Sequence, residues 1–203
     1  MGAGLTPAIR KLAKPVFWLV LALPAAFMLA GFLEGDTLAM DLLHPSGEMA
    51  VRLMLLALLI GPLMDIFGSN RVFRLWLRAR RNLGVAGFCY AALHLAFYML
   101  DMRQLQAMVD ELVLPSIWTG WLSFAALLAA ASISTDRTMR RLGKRWKQVQ
   151  RLVYPAYLLA ILHWLLLGWA VGPALVHLGP LAIAWLARII LSARRRTKRQ
   201  GNA

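Results

Sequence analysis

Two histidines, His94 and His163, sit in the middle of long apolar runs. An ionisable ring inside such a run is costly and marks a functional position by default. His94 lies 13 residues after Arg81, and His163 lies 12 residues after Arg151. If both runs are helices that start at those arginines, each imidazole stands roughly 18–20 Å from its basic end at 1.5 Å per residue. One full out-and-back of the chain separates the two helices, so they run in the same direction. Two imidazoles at one depth on parallel helices can ligate one planar group from opposite faces. Iron porphyrin suits that geometry, being flat, largely apolar and a taker of axial imidazole nitrogens. Zinc needs four ligands, or three and a water, and no third ligand is obvious at this depth. Small residues precede each histidine at helical spacing: Gly84, Gly87 and Ala91 before His94, and Ala156 and Ala160 before His163. They leave room for a porphyrin face, although membrane helices use the same residues for ordinary close packing.

Arg52 is the third residue of interest. It is expected about one turn inside the outer end of its helix, where it can pair with a porphyrin propionate or with Glu48 four residues earlier. His44, followed by Pro45, reads as an outer-loop residue, and His177 as a residue near a helix end. The single cysteine, Cys89, cannot form an internal disulfide and reads as a buried, inert thiol. Trp118, Trp121, Trp164, Trp169 and Tyr98 read as interface anchors and core.

The elements that must hold these side chains are membrane helices. Of 203 residues, 60% are hydrophobic, above the usual share for a soluble domain. A membrane helix needs about 20 apolar residues. Six stretches come close, near 16–33, 49–67, 83–100, 117–133, 152–170 and 174–191. The first is longer than the ~7–15 apolar residues of a secretory signal and reads as a retained helix. The fold class is therefore all-α, a polytopic bundle of six transmembrane helices forming one unit over residues 1–203. The net charge of +14 is not a nucleic-acid signature. Its lysines and arginines lie between apolar stretches, at Arg71–Arg81, Arg137–Arg151 and the two ends, while alternate loops carry only Arg103. That pattern is membrane topology and puts both termini in the cytoplasm of a bacterial inner membrane. No Gly-rich phosphate loop follows a strand, so nicotinamide-derived electrons have to arrive through a partner.

Arg80-Arg81-Asn82-Leu83-Gly84, followed by Ala92-Leu93-His94-Leu95, resembles a signature of the MsrQ (YedZ) family. These are the haem-binding membrane subunits of the periplasmic methionine sulfoxide reductase system, within the ferric reductase-like transmembrane superfamily. A second signature resembles Ser134-Thr135 through Arg141-Leu142-Gly143-Lys144-Arg145-Trp146, then Leu152-Val153-Tyr154 and Leu162-His163-Trp164. His44-Pro45-Ser46-Gly47 with Arg52 is similar to the family's entry to its second helix. The resemblance spans nearly the whole chain. It implies a b-type cytochrome with His94 and His163 on the haem, and electrons taken from the quinone pool or a cytosolic flavin reductase. FMN binding is linked to the family, and the acceptor is a periplasmic molybdenum enzyme that repairs oxidised methionine. Two departures accompany it. The family's further histidine at the start of the fifth helix is replaced within Gln148-Val149-Gln150. Gln150 lies 13 residues before His163 and Arg80 lies 14 before His94, the places of an inner ligand pair in two-haem relatives. Neither is a good ligand, so one haem b is expected. The family's Arg-Pro-Tyr before the fourth helix is Leu114-Pro115-Ser116 here.

The expected function is transfer of electrons from a quinol or flavin donor to a periplasmic oxidoreductase. The cluster from Arg140 to Arg151 offers a place for a flavin phosphate, or serves topology and lipid headgroups. Two rivals differ in kind. One is a self-sufficient single-haem metalloreductase or quinol-linked oxidase, and the other is a cofactor-free membrane scaffold.

Overall fold

A computed structural model describes the backbone of residues 7–168 and 170–200, and the side chains of 12–168 and 170–194. Trp169 and the terminal basic residues Arg10, Lys11, Arg195, Arg196, Lys198 and Arg199 lie outside the described side chains. Among the described residues the chain is helical throughout, with no strand. The helices are α1 Pro7–Glu34, α2 Ala39–Phe67, α3 Arg71–Met102, α4 Leu105–Asp110, α5 Pro115–Ser132, α6 Asp136–Leu142, α7 Lys144–Gln150, α8 Val153–Leu166 and α9 Val171–Gln200. A single 3-10 turn, Glu111–Val113, joins α4 to α5.

Five spans are long and apolar enough to cross a membrane: α1, α2, α3, the Lys144–Leu166 stretch of α7 and α8, and α9. α5 makes a sixth when taken with α4 and the 3-10 turn, from which it bends by 107°. The chain is thus a multi-pass membrane protein. Its charged segments fall on two faces, a basic one around Arg71–Arg81 and 134–151, and an acidic one around Glu34–Asp41 and Asp101–Glu111.

α2 is the central element. Met54, Leu58 and Ile60 on it are at most 1% exposed. α3 packs along α2, and α8 along α5, more extensively than any other pair. A hydroxyl from Ser123 on α5 donates to the Ala156 carbonyl on α8 at 2.8 Å. Such interhelical bonds replace the hydrophobic drive that lipid cannot supply. α9 closes against α2, with Arg188 paired to Asp65 at 2.7 Å. α1 is peripheral, with large apolar side chains such as Phe27 and Leu19 about 70% exposed toward lipid. It is tied on by Tyr90 of α3, whose hydroxyl donates to Leu21 O at 2.8 Å and accepts from Ala25 N–H at 3.0 Å. The hydroxyl thus bridges two backbone groups that a regular helix would join directly, next to Pro24, where helices kink.

Several sequence expectations change. The arginine-rich stretch from Arg71 is the first three turns of α3 rather than a loop. It starts at Asn70, whose side chain accepts from Phe73 N–H at 2.8 Å, a cap worth about 1 kcal/mol. α2 begins ten residues before the expected Met49 and runs through Pro45, so His44 is a helical residue and not a loop one. Proline reads as a breaker in sequence, yet membrane helices tolerate it when neighbours and hydroxyls satisfy the backbone around it. Arg52 accordingly lies more than three turns into α2 at 3.6 residues per turn. The basic segment after α5 forms α6 and α7, which meet at Gly143 with φ 52°. Cys89 is exposed on α3 rather than buried.

Candidate functional site

His94 on α3 and His163 on α8 face each other, with ring centroids 6.2 Å apart and planes at 84°. Each ring is held by its Nδ1. His94 Nδ1 donates to Leu43 O at 2.9 Å, and His163 Nδ1 donates to Ser116 O at 2.5 Å. A carbonyl can only accept, so each Nδ1 carries the proton and each Nε2 carries the free lone pair. Among the described residues neither Nε2 has a hydrogen-bond partner. A ring oriented through Nδ1 with a bare Nε2 is the usual state of a metal-ligating histidine.

Two glycines make room for this. A Cβ at Gly47 would stand 3.0 Å from His94 Nδ1, and a Cβ at Gly120 would stand 2.9 Å from His163 Nδ1. A larger residue at either position would force the facing imidazole to shift. Ala91 and Ala160, foreseen from spacing, line the 350 Å³ cavity that both histidines enter. Gly87 and Ala156 do not. Gly87 packs against Met54 and the Ala50 carbonyl of α2, and Ala156 is fully buried in the core. Gly84 lines a second cavity nearer the basic face.

The geometry fits a planar metal macrocycle. Two metal–nitrogen bonds of about 2 Å, with a ring radius of about 1.1 Å on each side, put imidazole centroids roughly 6.2 Å apart. Among the described residues no three His, Cys, Asp or Glu side chains converge on a metal position. The imidazoles therefore suit an ion whose remaining ligands come with an organic ring. The indole Nε1 of Trp164, on the same cavity wall, is buried without an acceptor, and such orphan donors are rare in a native interior.

Toward the acidic face the cavity reaches His44, Tyr98, Asp101 and Glu111. Tyr98 donates to Glu111 at 2.8 Å, and the His44 ring meets Trp164 edge-on at 5.2 Å. Glu48 lines the cavity and also binds Arg52 at 2.6 Å, with His177 at 3.7 Å. Arg52 makes the Glu48 pair foreseen for it, and also reaches His177 Nε2 at 3.4 Å. His177 is a buried strut, with Nδ1 on Pro173 O at 2.6 Å and its own carbonyl accepting from Tyr157 at 2.7 Å.

The second cavity, about 440 Å³, is lined by Arg80, Arg81, Lys147, Gln150, Arg151 and Tyr154, among others. Gln150 donates to Ala130 O at 2.9 Å and to Ser134 Oγ at 3.0 Å, so its amide is already engaged. Arg81 pairs with Asp136, and that hydrogen bond holds the Asp136 carboxyl below its ordinary range. Leu127, only 3% exposed, lines both cavities and lies between them.

Sequence reasoning did not single out Ser46, Thr119 or Gly120 as site residues. All three lie on α2 and α5, the helices that face the histidines rather than carry them. A signal was available in the repeated pairs Ser46-Gly47 and Thr119-Gly120.

A sequence profile described as "Ferric reductase like transmembrane component" matches residues 46–161. The chain is 39% identical over 164 residues to the protein-methionine-sulfoxide reductase heme-binding subunit MsrQ of Xanthomonas euvesicatoria pv. vesicatoria (strain 85-10), covering 77% of this chain and 73% of that one. It is 34% identical over 197 residues to the subunit of the same name from Cronobacter sakazakii (strain ATCC BAA-894), covering 87% and 94%.

Proposed function

The chain belongs to the ferric reductase-like transmembrane family, among the haem-binding subunits of methionine sulfoxide reductase, and on that premise we propose that it is a b-type cytochrome delivering electrons to a periplasmic reductase. The observation that carries this reading is the facing pair His94 and His163, each with Nδ1 on a backbone carbonyl and Nε2 bare. Bound haem supplies reversible one-electron chemistry at its iron. His94 and His163 would hold the haem through their bare Nε2 atoms, and the carbonyls on their Nδ1 atoms would keep both rings in place as the group gains or loses an electron. Ala91, Ala160 and the two glycines clear the space. Arg52 contributes to charge balance through Glu48, whose carboxylate lines the cavity.

The positive-inside rule orients the basic face to the cytoplasm. The histidine cavity then opens toward the periplasm, where the acceptor, a molybdenum enzyme on the family's pattern, would dock. The cationic cavity opens on the donor side. Arg80, Lys147 and Arg151 suit the phosphate of FMN, and the apolar remainder of the wall suits a quinol ring.

The test is an absorption spectrum of the purified protein, oxidised and dithionite-reduced, with haem counted per chain. One low-spin haem b per chain is expected, lost in His94→Ala and in His163→Ala. Two haems per chain would mean that the Gln150 cavity binds iron by another ligand. A chain without haem, expressed with ample supply, would leave the scaffold reading.

A further inference from the structure

We infer that Ser46 and Thr119 are positioning residues that set the strength of the two imidazole–carbonyl bonds, and through them the reduction potential of the haem. The inference rests on the bis-histidine reading above.

One arrangement occurs twice. On α2, Leu43 O receives His94 Nδ1–H at 2.9 Å and also the Ser46 hydroxyl at 3.1 Å, which donates to Leu42 O as well at 2.6 Å. The Ser46 oxygen also stands 3.5 Å from His94 Nδ1 itself, at the outer limit of a hydrogen bond. On α5, Ser116 O receives His163 Nδ1–H at 2.5 Å and also the Thr119 hydroxyl at 2.8 Å, which donates to Pro115 O as well at 2.8 Å. In both cases the hydroxyl comes three residues after the shared carbonyl, and the glycine that seats the ring comes four after it. Ser46 is 0% and Thr119 1% exposed, so both hydroxyls are shielded from water.

The physical consequence has a sign. A carbonyl that binds a ligating imidazole's N–H makes the ring a stronger donor to the metal, which favours ferric iron. A hydroxyl on the same oxygen withdraws electron density and weakens that bond. The two hydroxyls therefore hold the potential above the value that the carbonyls alone would give. The Thr119 hydroxyl lies closer to the shared oxygen than that of Ser46 does, so its effect is the larger. Ordinary back-bonding of a helix hydroxyl to its own preceding turn would leave the metal unaffected.

The experiment is potentiometric titration of the purified full-length chain beside Thr119→Val, Thr119→Ser and Ser46→Ala, with haem per chain counted in each. The expected result is one low-spin haem per chain in all four. Thr119→Val shifts the midpoint downward by a three- to tenfold change in the reduction equilibrium, the latter being about 59 mV for one electron. Ser46→Ala shifts it the same way but less, and Thr119→Ser keeps the parent value. An unchanged or raised midpoint in Thr119→Val overturns the inference, as does a Thr119→Ser shift as large as that of valine. If Thr119→Val does not accumulate, the sign of the Ser46→Ala shift decides. A parent chain without haem overturns the bis-histidine reading itself, a result separate from any shift between variants.

Discussion

Gly120→Ala would place a methyl group 2.9 Å from His163 Nδ1, and Gly47→Ala would place one 3.0 Å from His94 Nδ1. Neither ring can retreat without losing its carbonyl. Disturbing such an outer-shell contact typically costs about 10- to 100-fold in metal affinity. Haem retention measured by titration into the apoprotein should fall by that order in both variants, and more in Gly120→Ala because its contact is tighter. The histidines themselves were legible in sequence because an ionisable ring in an apolar run is too costly to keep without a ligand or partner. Their glycine seats were not, because nothing in one helix's sequence says which helix it will face. Gly87 shows the reverse error. It has the right spacing from His94 and turns toward α2 instead, since periodicity gives a face but not the neighbour on it.

At the scale of elements, one hydroxyl supplements the packing of Phe17, Trp18 and Phe32 that holds α1 to the bundle. Tyr90→Phe leaves Leu21 O and Ala25 N–H without their bridge, a loss of about 1 kcal/mol per bond. Amide hydrogen exchange around Leu21–Ala25 should quicken while the haem spectrum is unchanged, because α1 does not line the histidine cavity. A second tie joins α3 to α6 through Arg81 and Asp136. The Asp136 carboxyl is depressed below 3.8 by that arginine. The tie therefore holds at and above the ordinary carboxylate range and is lost as pH falls through the depressed value. Exchange at residues 136–142 should rise only below the ordinary carboxylate range, and at neutral pH in Asp136→Asn. The helices were legible from apolar length, but their starts were not. Pro45 and the arginines after Asn70 both look like connections, yet both are helical, because packing partners outweigh local signals at a helix end.

At the scale of the molecule, the two faces differ in charge, and that difference sets direction. Gln104→Cys on the acidic face should react with a membrane-impermeant maleimide in intact cells, whereas Lys144→Cys should react only after permeabilisation. The native Cys89, within the apolar part of α3, is the control and should stay unlabelled in both. Equal labelling of both sites from outside would reverse the donor and acceptor sides. The multi-pass, all-helical architecture was legible because apolar length survives any error in helix boundaries. The two cavities were not, since each draws on four or more helices, and Leu127 between them has no sequence feature to mark it.

The pairs α2 with α3 and α5 with α8 each bring one of everything to the centre: an imidazole, its carbonyl, a hydroxyl on that carbonyl and a glycine under the ring. Each pair is a half-site with the same recipe. A two-helix peptide that self-associates about the membrane normal would carry the full ligand set, so the motif is a minimal unit for building a membrane cytochrome from a duplicated hairpin.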